Sequence, residues 1–309
     1  MTEEGVYHAG EIAVQERAGE RAIARRRETM IGDRLVDGAR AFLSQQGVVA
    51  VSAEGSDGAL WASMWCGIPG FISSHGDGTS VEINSALNHT RSIDPVRGAI
   101  RTDEPLGVLV IDFATRRRMR INGRVRRADA AGVELDVQEV FGNCLKYIQR
   151  RQRAYDVVAN VPEQEESGRA LDAPRRRFVA QADTMFVASI HPVRGLDVSH
   201  RGGKPGFVHI DDERMLRIPD YPGNSMFQTL GNFDVDERAG LAFIDFDRNR
   251  VLSLTGSARS DFGAEDARLP TSGTGRYWSF SVERWLEFPL PAKMQWTLIE
   301  PSPFNPRSP

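Results

Sequence analysis

The chain has 309 residues, with 39 Lys+Arg against 42 Asp+Glu (formal net charge −3), 40% hydrophobic and 26% charged residues. That length suits two ordinary domains or one large one, and the composition excludes a wholly disordered chain, a collagen-like one and a basic nucleic-acid tail. Two cysteines, Cys66 and Cys144, cannot build a disulfide framework and lack zinc-ligand spacing. No apolar run approaches the roughly 18 residues of a membrane span, and no hydrophobic segment follows a basic start, so a cytoplasmic chain with no membrane attachment is expected.

In chain order, Glu11 to Arg27, rich in Ala, Glu and Arg, predicts a polar amphipathic helix. Asp33 to Gln46 predicts a second, with Leu35, Ala39, Phe42 and Leu43 at helical spacing. Val48 to Ala53 opens a β region before Gly55-Ser56-Asp57-Gly58. Leu106 to Ile111 is apolar on both faces and predicts a fully covered strand, with a turn at 114–117. Residues 118 to 126 then alternate strictly, with Met119, Ile121, Gly123 and Val125 on one face and Arg118, Arg120, Asn122, Arg124 and Arg126 on the other. That is the period of a strand with one buried and one solvated face. Cys144 to Val158 suggests a third helix, Val161 to Pro174 has linker composition, and Met185 to Ile190 opens a second β region. The tail from Pro301 to Pro309, with four prolines, is expected to be extended.

An internal repeat organises these elements. Residues 103–126 align with 236–259 at an offset of 133, with identities at Asp103, Glu104, Gly107, Ile111, Asp112, Phe113, Arg117, Gly123 and Arg126. Upstream, Pro69-Gly70-Phe71 matches Pro205-Gly206-Phe207, and Gly58 matches Gly195, with small changes of offset in loops. The expected fold class is mainly β with peripheral helices (α+β), built as two tandem small barrels. The expected division is an N-terminal helical segment (1–46), a first repeat (47–160), a linker (161–174) and a second repeat (175–309).

Standard catalytic strings are missing. Gly203-Lys204 runs into Pro205 rather than completing a P-loop, and no G-x-G-x-x-G, nucleophile elbow or H-E-x-x-H occurs. His8, His75, His89, His191, His200 and His209 form no pair at i+2 to i+4, so no metal site is expected. A β-rich chain of this kind borrows its chemistry from an organic cofactor. Only three of the 39 basic residues are lysines (Lys146, Lys204, Lys293), which reads as coding bias or as arginine forks kept for phosphate or carboxylate.

The richest segment is 197–231. Ser199-His200-Arg201-Gly202-Gly203-Lys204-Pro205-Gly206 gathers a hydroxyl, an imidazole, two cations and flexible backbone, which suits an anion or a solvated hairpin. Leu216 to Thr229 runs from a strand end into a helix start. There Gly223 permits close approach, and Asn224 and Ser225 are N-cap types whose following N–H groups suit a phosphate, or simply a cap. Arg116-Arg117-Arg118 lacks interleaved aromatics in a net acidic chain, so it reads as a turn and a solvated face and no nucleic acid is expected. Cys66 reads as core. Cys144 reads as a buried thiol or, beside Lys146, a redox one.

The strings Asp197 to Gly203, Pro205-Gly206-Phe207-Val208, Ile218 to Asn224 and Gly240 to Phe246 resemble the pyridoxamine 5′-phosphate oxidase-related FMN-binding proteins. Arg116 to Arg124 and Asn143 to Arg151 resemble the long, tandem branch of that family, with Leu145 where a proline is expected. The resemblance spans roughly residues 8 to 285. It implies a Greek-key flavin split barrel, FMN as cofactor, and a homodimer with the flavin at its interface.

Carried over by position, Ser199, His200 and Arg201 fall on basic phosphate contacts, and Ile218, Pro219 and Asp220 on the flavin ring and ribityl chain. Asn224, Ser225 and Thr229 fall on a second phosphate segment. Arg250 and Val251 fall on a hairpin that reaches a partner's flavin, and Arg276 and Trp278 near the ring. In the first repeat, Ser73 to Ser80 is taken as the equivalent loop; it has His75, no arginine, and Asp77, which repels phosphate. The flavin is therefore assigned to the second repeat.

The implied function is an FMN-dependent oxidoreductase acting on a small organic substrate, with NAD(P)H or a reductase as electron donor and no evident general acid or base. The alternative is a non-catalytic binder of flavin, haem or a deazaflavin. Pyridoxamine 5′-phosphate oxidase itself is disfavoured by chain length and by the lack of matching substrate-phosphate arginines.

Overall fold

A computed structural model describes residues 5–90, 92–155, 164–263, 265–290 and 294–306. The N-terminal segment forms α1 (Ala9–Arg17) and α2 (Arg21–Arg25), a 3₁₀ turn at Glu28–Met30, and then α3 (Asp37–Ser44). The single helix expected over 11–27 is two, because Gly19 takes φ +69° between them. His8 starts α1 by accepting from Gly10 N while Glu11 returns a bond to His8 N, a reciprocal cap.

The first repeat comprises β1 (Val48–Glu54), β2 (Leu60–Cys66), β3 (Ile72–Ser73), β4 (Ser80–Asn84), α4 (Pro95–Ala99), β5 (Pro105–Asp112), β6 (Arg117–Ala128) and β7 (Gly132–Gly142). After it come β8 (Arg150–Tyr155) and β9 (Glu166–Gly168). The second repeat follows α5 (Ala173–Gln181). It comprises β10 (Thr184–His191), β11 (Gly195–Gly202), β12 (His209–Ile210), β13 (Met215–Pro219), α6 (Gln228–Phe233), β14 (Arg238–Asp245), β15 (Arg250–Phe262) and β16 (Arg276–Pro289), with β17 (Met294–Glu300) last.

Strand order runs β2-β1-β5-β6-β7-β4-β3 in one antiparallel sheet and β11-β10-β14-β15-β16-β13-β12 in the other. The two orders are the same when counted from the start of each repeat, and a short helix stands between the fourth and fifth strands of both. The protein is thus mainly β, two tandem split barrels with peripheral helices. Gly123 and Gly256, matched in the sequence repeat, both sit at a register shift in their long hairpins.

The continuous apolar run of β5 divides between two cores. Leu106, Val108 and Val110 enter the core of the first barrel, while Leu109 and Ile111 face a layer shared with the second repeat. In β14, Ala239, Leu241 and Phe243 fill the second barrel, and Ala242 and Ile244 join the shared layer. The repeats meet where β5 lies on β11 and β14 on β2. A Cβ on Gly107 would stand 2.5 Å from Ser52 Oγ, and one on Gly240 would stand 2.6 Å from Leu60 O.

Two expectations are corrected. The helix predicted from Cys144 is instead a turn and then β8, paired with β17 from Arg150↔Glu300 to Tyr155↔Met294; residues 156–158 lie outside the described ones. A distant strand claims that backbone, which local spacing does not reveal. The face of β6 expected to be solvated is solvated only toward its end, at Arg124 and Arg126, whereas Arg120 and Asn122 are each 5% exposed. Those two are turned to the second repeat, toward Asp197. Within the stretch of linker composition, β9 pairs with β16, and Pro174 occupies the first turn of α5, capped by Asp172.

Gly240→Ala is expected to destabilise the chain by about 1–3 kcal/mol through overpacking against the Leu60 carbonyl. Gly38→Ala in α3, which meets nothing within 4 Å, is expected to raise stability by up to about 1 kcal/mol. Urea unfolding of the two variants checks both signs.

Candidate functional site

A cleft opens between the repeats. The first contributes Arg118 and Arg120 of β6 and the turn Asn143–Tyr147; the second contributes Ser199–Gly202 of β11, Pro219–Tyr221, the Gly223–Thr229 stretch and Arg276. Its lining includes five cations, Arg118, Arg120, Lys146, Arg201 and Arg276, against one carboxylate, Asp220.

Three of the cations are matched. Arg120 reaches the buried Asp197 at 2.8 Å. Asp220, 3% exposed, is gripped from both sides, by Arg201 Nη1 at 3.0 Å and Arg276 Nε at 2.9 Å, and Arg276 Nη1 continues to Glu20 at 2.8 Å. Arg118 differs. It donates to Cys144 O (2.8 Å), His200 Nδ1 (2.9 Å) and His200 O (3.2 Å), and among the described residues it meets no carboxylate. Burial, and then the charges of Arg120 and Arg201, push its pKa down to about 9. A guanidinium does not give up its proton in a protein, so this is a cation short of a counter-ion.

The Arg118 bond also sets the state of His200. Guanidinium only donates, so Nδ1 accepts and the proton of the neutral ring lies on Nε2. His200 Nε2 is buried and has no partner among the described residues; Arg201 Nε and Asn143 Oδ1 share that condition. Burial, then the charges of Arg118, Arg201 and Arg151, holds the His200 pKa well below its ordinary value. Ser199 and Thr229 bond to each other through their hydroxyls at 2.9 Å.

The chain from Pro222 to Phe227 forms a flap over the cleft. Ser225 and Phe227 have φ of 61° and 62°, a conformation that costs an L-residue about 1–3 kcal/mol and persists only where the surroundings impose it. The backbone N–H groups of Gly223, Asn224 and Ser225 take no partner among the described residues. Asn224 and Ser225 do not cap the following helix as expected. The cap position of α6 belongs to Phe227, and Asn224 Oδ1 accepts instead from Met226 N at 3.1 Å.

Of the residues singled out in the sequence, Ser199, His200, Arg201, Pro219, Asp220, Asn224, Ser225, Thr229 and Arg276 line this cleft. Ile218, Val251 and Trp278 are fully buried elsewhere, and Arg250 turns to Glu287. The repeat explains the hairpin pair. Arg250 and Val251 align with Arg117 and Arg118 at the offset of 133, so the first repeat presents Arg118 to the cleft, while Val251 sits in the shared apolar layer.

Ladder positions also correct the loop taken as equivalent in the first repeat. Met185 pairs with Arg201 and Phe243, and Val49 with Trp65 and Val110, so Arg201 corresponds to Trp65 and His200 to Met64. Ser73 to Ser80 corresponds instead to the β12–β13 turn. At the related position between the repeats, Met64 and Val251 thus replace His200 and Arg118, and both are packed apolar residues.

Sequence reasoning missed Arg118, Arg120, Asn143, Lys146 and Tyr147 as cleft residues; for the last three the signal was the string Asn143 to Arg151 that carried the resemblance, while the alternation of β6 gave none for the two arginines. Cys144 lines the cleft, whereas Cys66 is buried core, its thiol pushed up to about 12 by burial.

No family model matches the chain, and no curated protein does. Among solved structures, HupZ of Group A Streptococcus is 10% identical, over 43% of this chain and 98% of its own, with a TM-score of 0.29. A Clostridium acetobutylicum protein related to general stress protein 26 of B. subtilis (pyridoxinephosphate oxidase family) is 13% identical, over 41% and 92%, at 0.29. An F420 reductase is 14% identical, over 35% and 90%, at 0.26. At scores this low the likeness adds nothing to the strand order itself. Among the described residues no helix is long and apolar enough to cross a membrane.

His8 is buried and neutral like His200, its pKa lowered to about 4 by burial and by His191. Below about pH 6.5 the unfolded chain takes up protons that both folded histidines refuse, so the two histidines lower stability as pH drops from 7 to 5, while Glu11, its carboxyl pushed up to about 8 by burial, holds its proton in the folded chain and offsets part of that fall. Thermal unfolding at stepped pH checks this, and His8→Gln/His200→Gln should flatten the slope.

Proposed function

We propose that the cleft between the repeats binds FMN and that the protein is an FMN-dependent oxidoreductase acting on a small organic substrate. The observation that carries this is the charge of the lining, five cations to one carboxylate with Arg118 uncompensated, beside a flap of free N–H groups. A terminal phosphate suits such a place, since converging guanidinium and backbone N–H donors are its natural partners.

In this reading Arg201, Asn224, Ser225 and Thr229 hold the phosphate, and the Nε2–H of His200 supplies a further buried donor. Asp220, fixed between Arg201 and Arg276, faces the ribityl hydroxyls with its acceptor orbitals already oriented. Pro219 borders the ring. Arg118 takes the part that a partner's hairpin would play, so a second copy is not needed to complete the cleft, and one flavin per chain is expected. Bound FMN would supply hydride or electron transfer, from NAD(P)H or a reductase; the chain's share is orientation, water exclusion and the field around the ring.

A non-catalytic binder of flavin, haem or a deazaflavin is the competing reading. It is favoured by the engagement of Asp220 with two arginines, which leaves no free carboxylate for acid–base work in the lining.

Absorption of the purified chain separates these readings. Flavin bands that bleach under NADH or NADPH support the enzyme, flavin bands inert to every donor support a carrier, and a Soret band or no FMN binding on titration removes the FMN reading. Arg201→Ala should weaken FMN by about 10- to 100-fold, the worth of one charged hydrogen bond of about 1.5–3 kcal/mol. Arg117→Ala, whose guanidinium lies over the Phe42 ring at 4.6 Å, should change it little. Equal losses in a fluorescence titration would place the phosphate elsewhere.

A further inference from the structure

We infer that the N-terminal segment from Tyr7 to Met30 holds the flap in its anion-binding form, with Gln15 and Arg27 as positioning residues. The inference rests on the FMN reading for its ligand and on geometry for its mechanism. Three alternate carbonyls of the flap are each held by a side chain from outside the second repeat. Pro222 O accepts from Tyr147 Oη at 3.0 Å, Asn224 O from Arg27 Nη1 at 2.7 Å, and Met226 O from Gln15 Nε2 at 2.9 Å. The N–H groups of Gly223, Asn224 and Ser225, which take no partner among the described residues, lie in the stretch that these three bonds hold. Without the anchors, Ser225 and Phe227 lose the constraint that keeps them in the left-handed region.

The segment is itself fixed firmly enough to act as an anchor. Gln15 is fully buried, and its other end accepts from Arg21 Nη1 at 2.7 Å. Met226 is buried with Tyr7, Ala24 and Phe141, so this flap side chain plugs into a cluster that the segment builds together with β7. α1 crosses α6 with glycine facing glycine, and a Cβ on Gly231 would stand 2.6 Å from Glu11 Cα. That contact sets the distance between the segment and the helix that ends the flap. At the far side, Glu20 meets Arg276, which joins the same segment to the floor of the cleft.

A positioning role predicts a loss confined to the phosphate, whereas a merely structural role does not. Apoprotein titrated with FMN and with riboflavin, which carries the same ring without the phosphate, reads the difference. Arg27→Met and Gln15→Leu should each weaken FMN by about tenfold, one hydrogen bond's worth, with riboflavin changed less than about twofold, and Arg27→Lys should recover most of the loss. Equal weakening of both ligands, or none, overturns the inference.

Hydrogen exchange on the ligand-free chain separates this result from failure of the FMN reading. Faster exchange over residues 222–233 in Arg27→Met, with β14 and β15 unchanged, supports the positioning role even where wild type binds no FMN. Unchanged exchange there overturns it.

Discussion

Two sheets can meet backbone to backbone only where no side chain stands between their strands, and Gly107 and Gly240 provide that opening at corresponding points of the two repeats. Much of the architecture depends on this contact. It brings β5 onto β11 and β14 onto β2, and it requires the outward faces of β5 and β14 to be apolar because they become a third core. It also covers Arg118, Arg120 and Asn122 of β6 with the second repeat, where guanidiniums that would otherwise be hydrated must find acceptors.

A pseudo-symmetric contact offers two related positions between the repeats, and this chain treats them differently. At one, Met64, Val251 and their neighbours are packed apolar side chains. At the other, His200, Arg201, Arg118 and Arg120 surround a cleft. Burying polar groups without partners is unfavourable, so filling one position and keeping the other polar concentrates that cost at a single place. The repeat thus supplies a scaffold, and divergence between its two halves leaves one polar cleft.

Inside the cleft, Asp220 acts as a fixed point. A carboxylate 3% exposed is tolerable because two guanidiniums meet it, and breaking either pair would strand a buried charge. This fixes the orientation of Arg201 and Arg276 in the cleft lining. The flap, by contrast, is held from outside its own repeat by the N-terminal segment and the turn at Tyr147, so a site on the second repeat depends on residues far away in sequence.

Much of the fold was legible in the sequence. The offset of 133 and the matched glycines identified the duplication, and strict alternation located β6, because periodicity and backbone sterics are local properties. The residues of β11, β13 and the flap that line the cleft were legible from their chemistry and from a family resemblance. The strand at Arg150–Tyr155 was not, since its partner lies in β17, nor were Arg118 and Arg120 of β6 as cleft residues. Charge on a strand face has the same pattern whether water or a second barrel lies opposite. The sequence by itself determined that one β unit occurs twice and which strands have an apolar face. Tertiary structure alone decided which polar face was enclosed and which of two related positions stayed polar, because both depend on how the repeats dock, and docking is a long-range contact that no local period encodes.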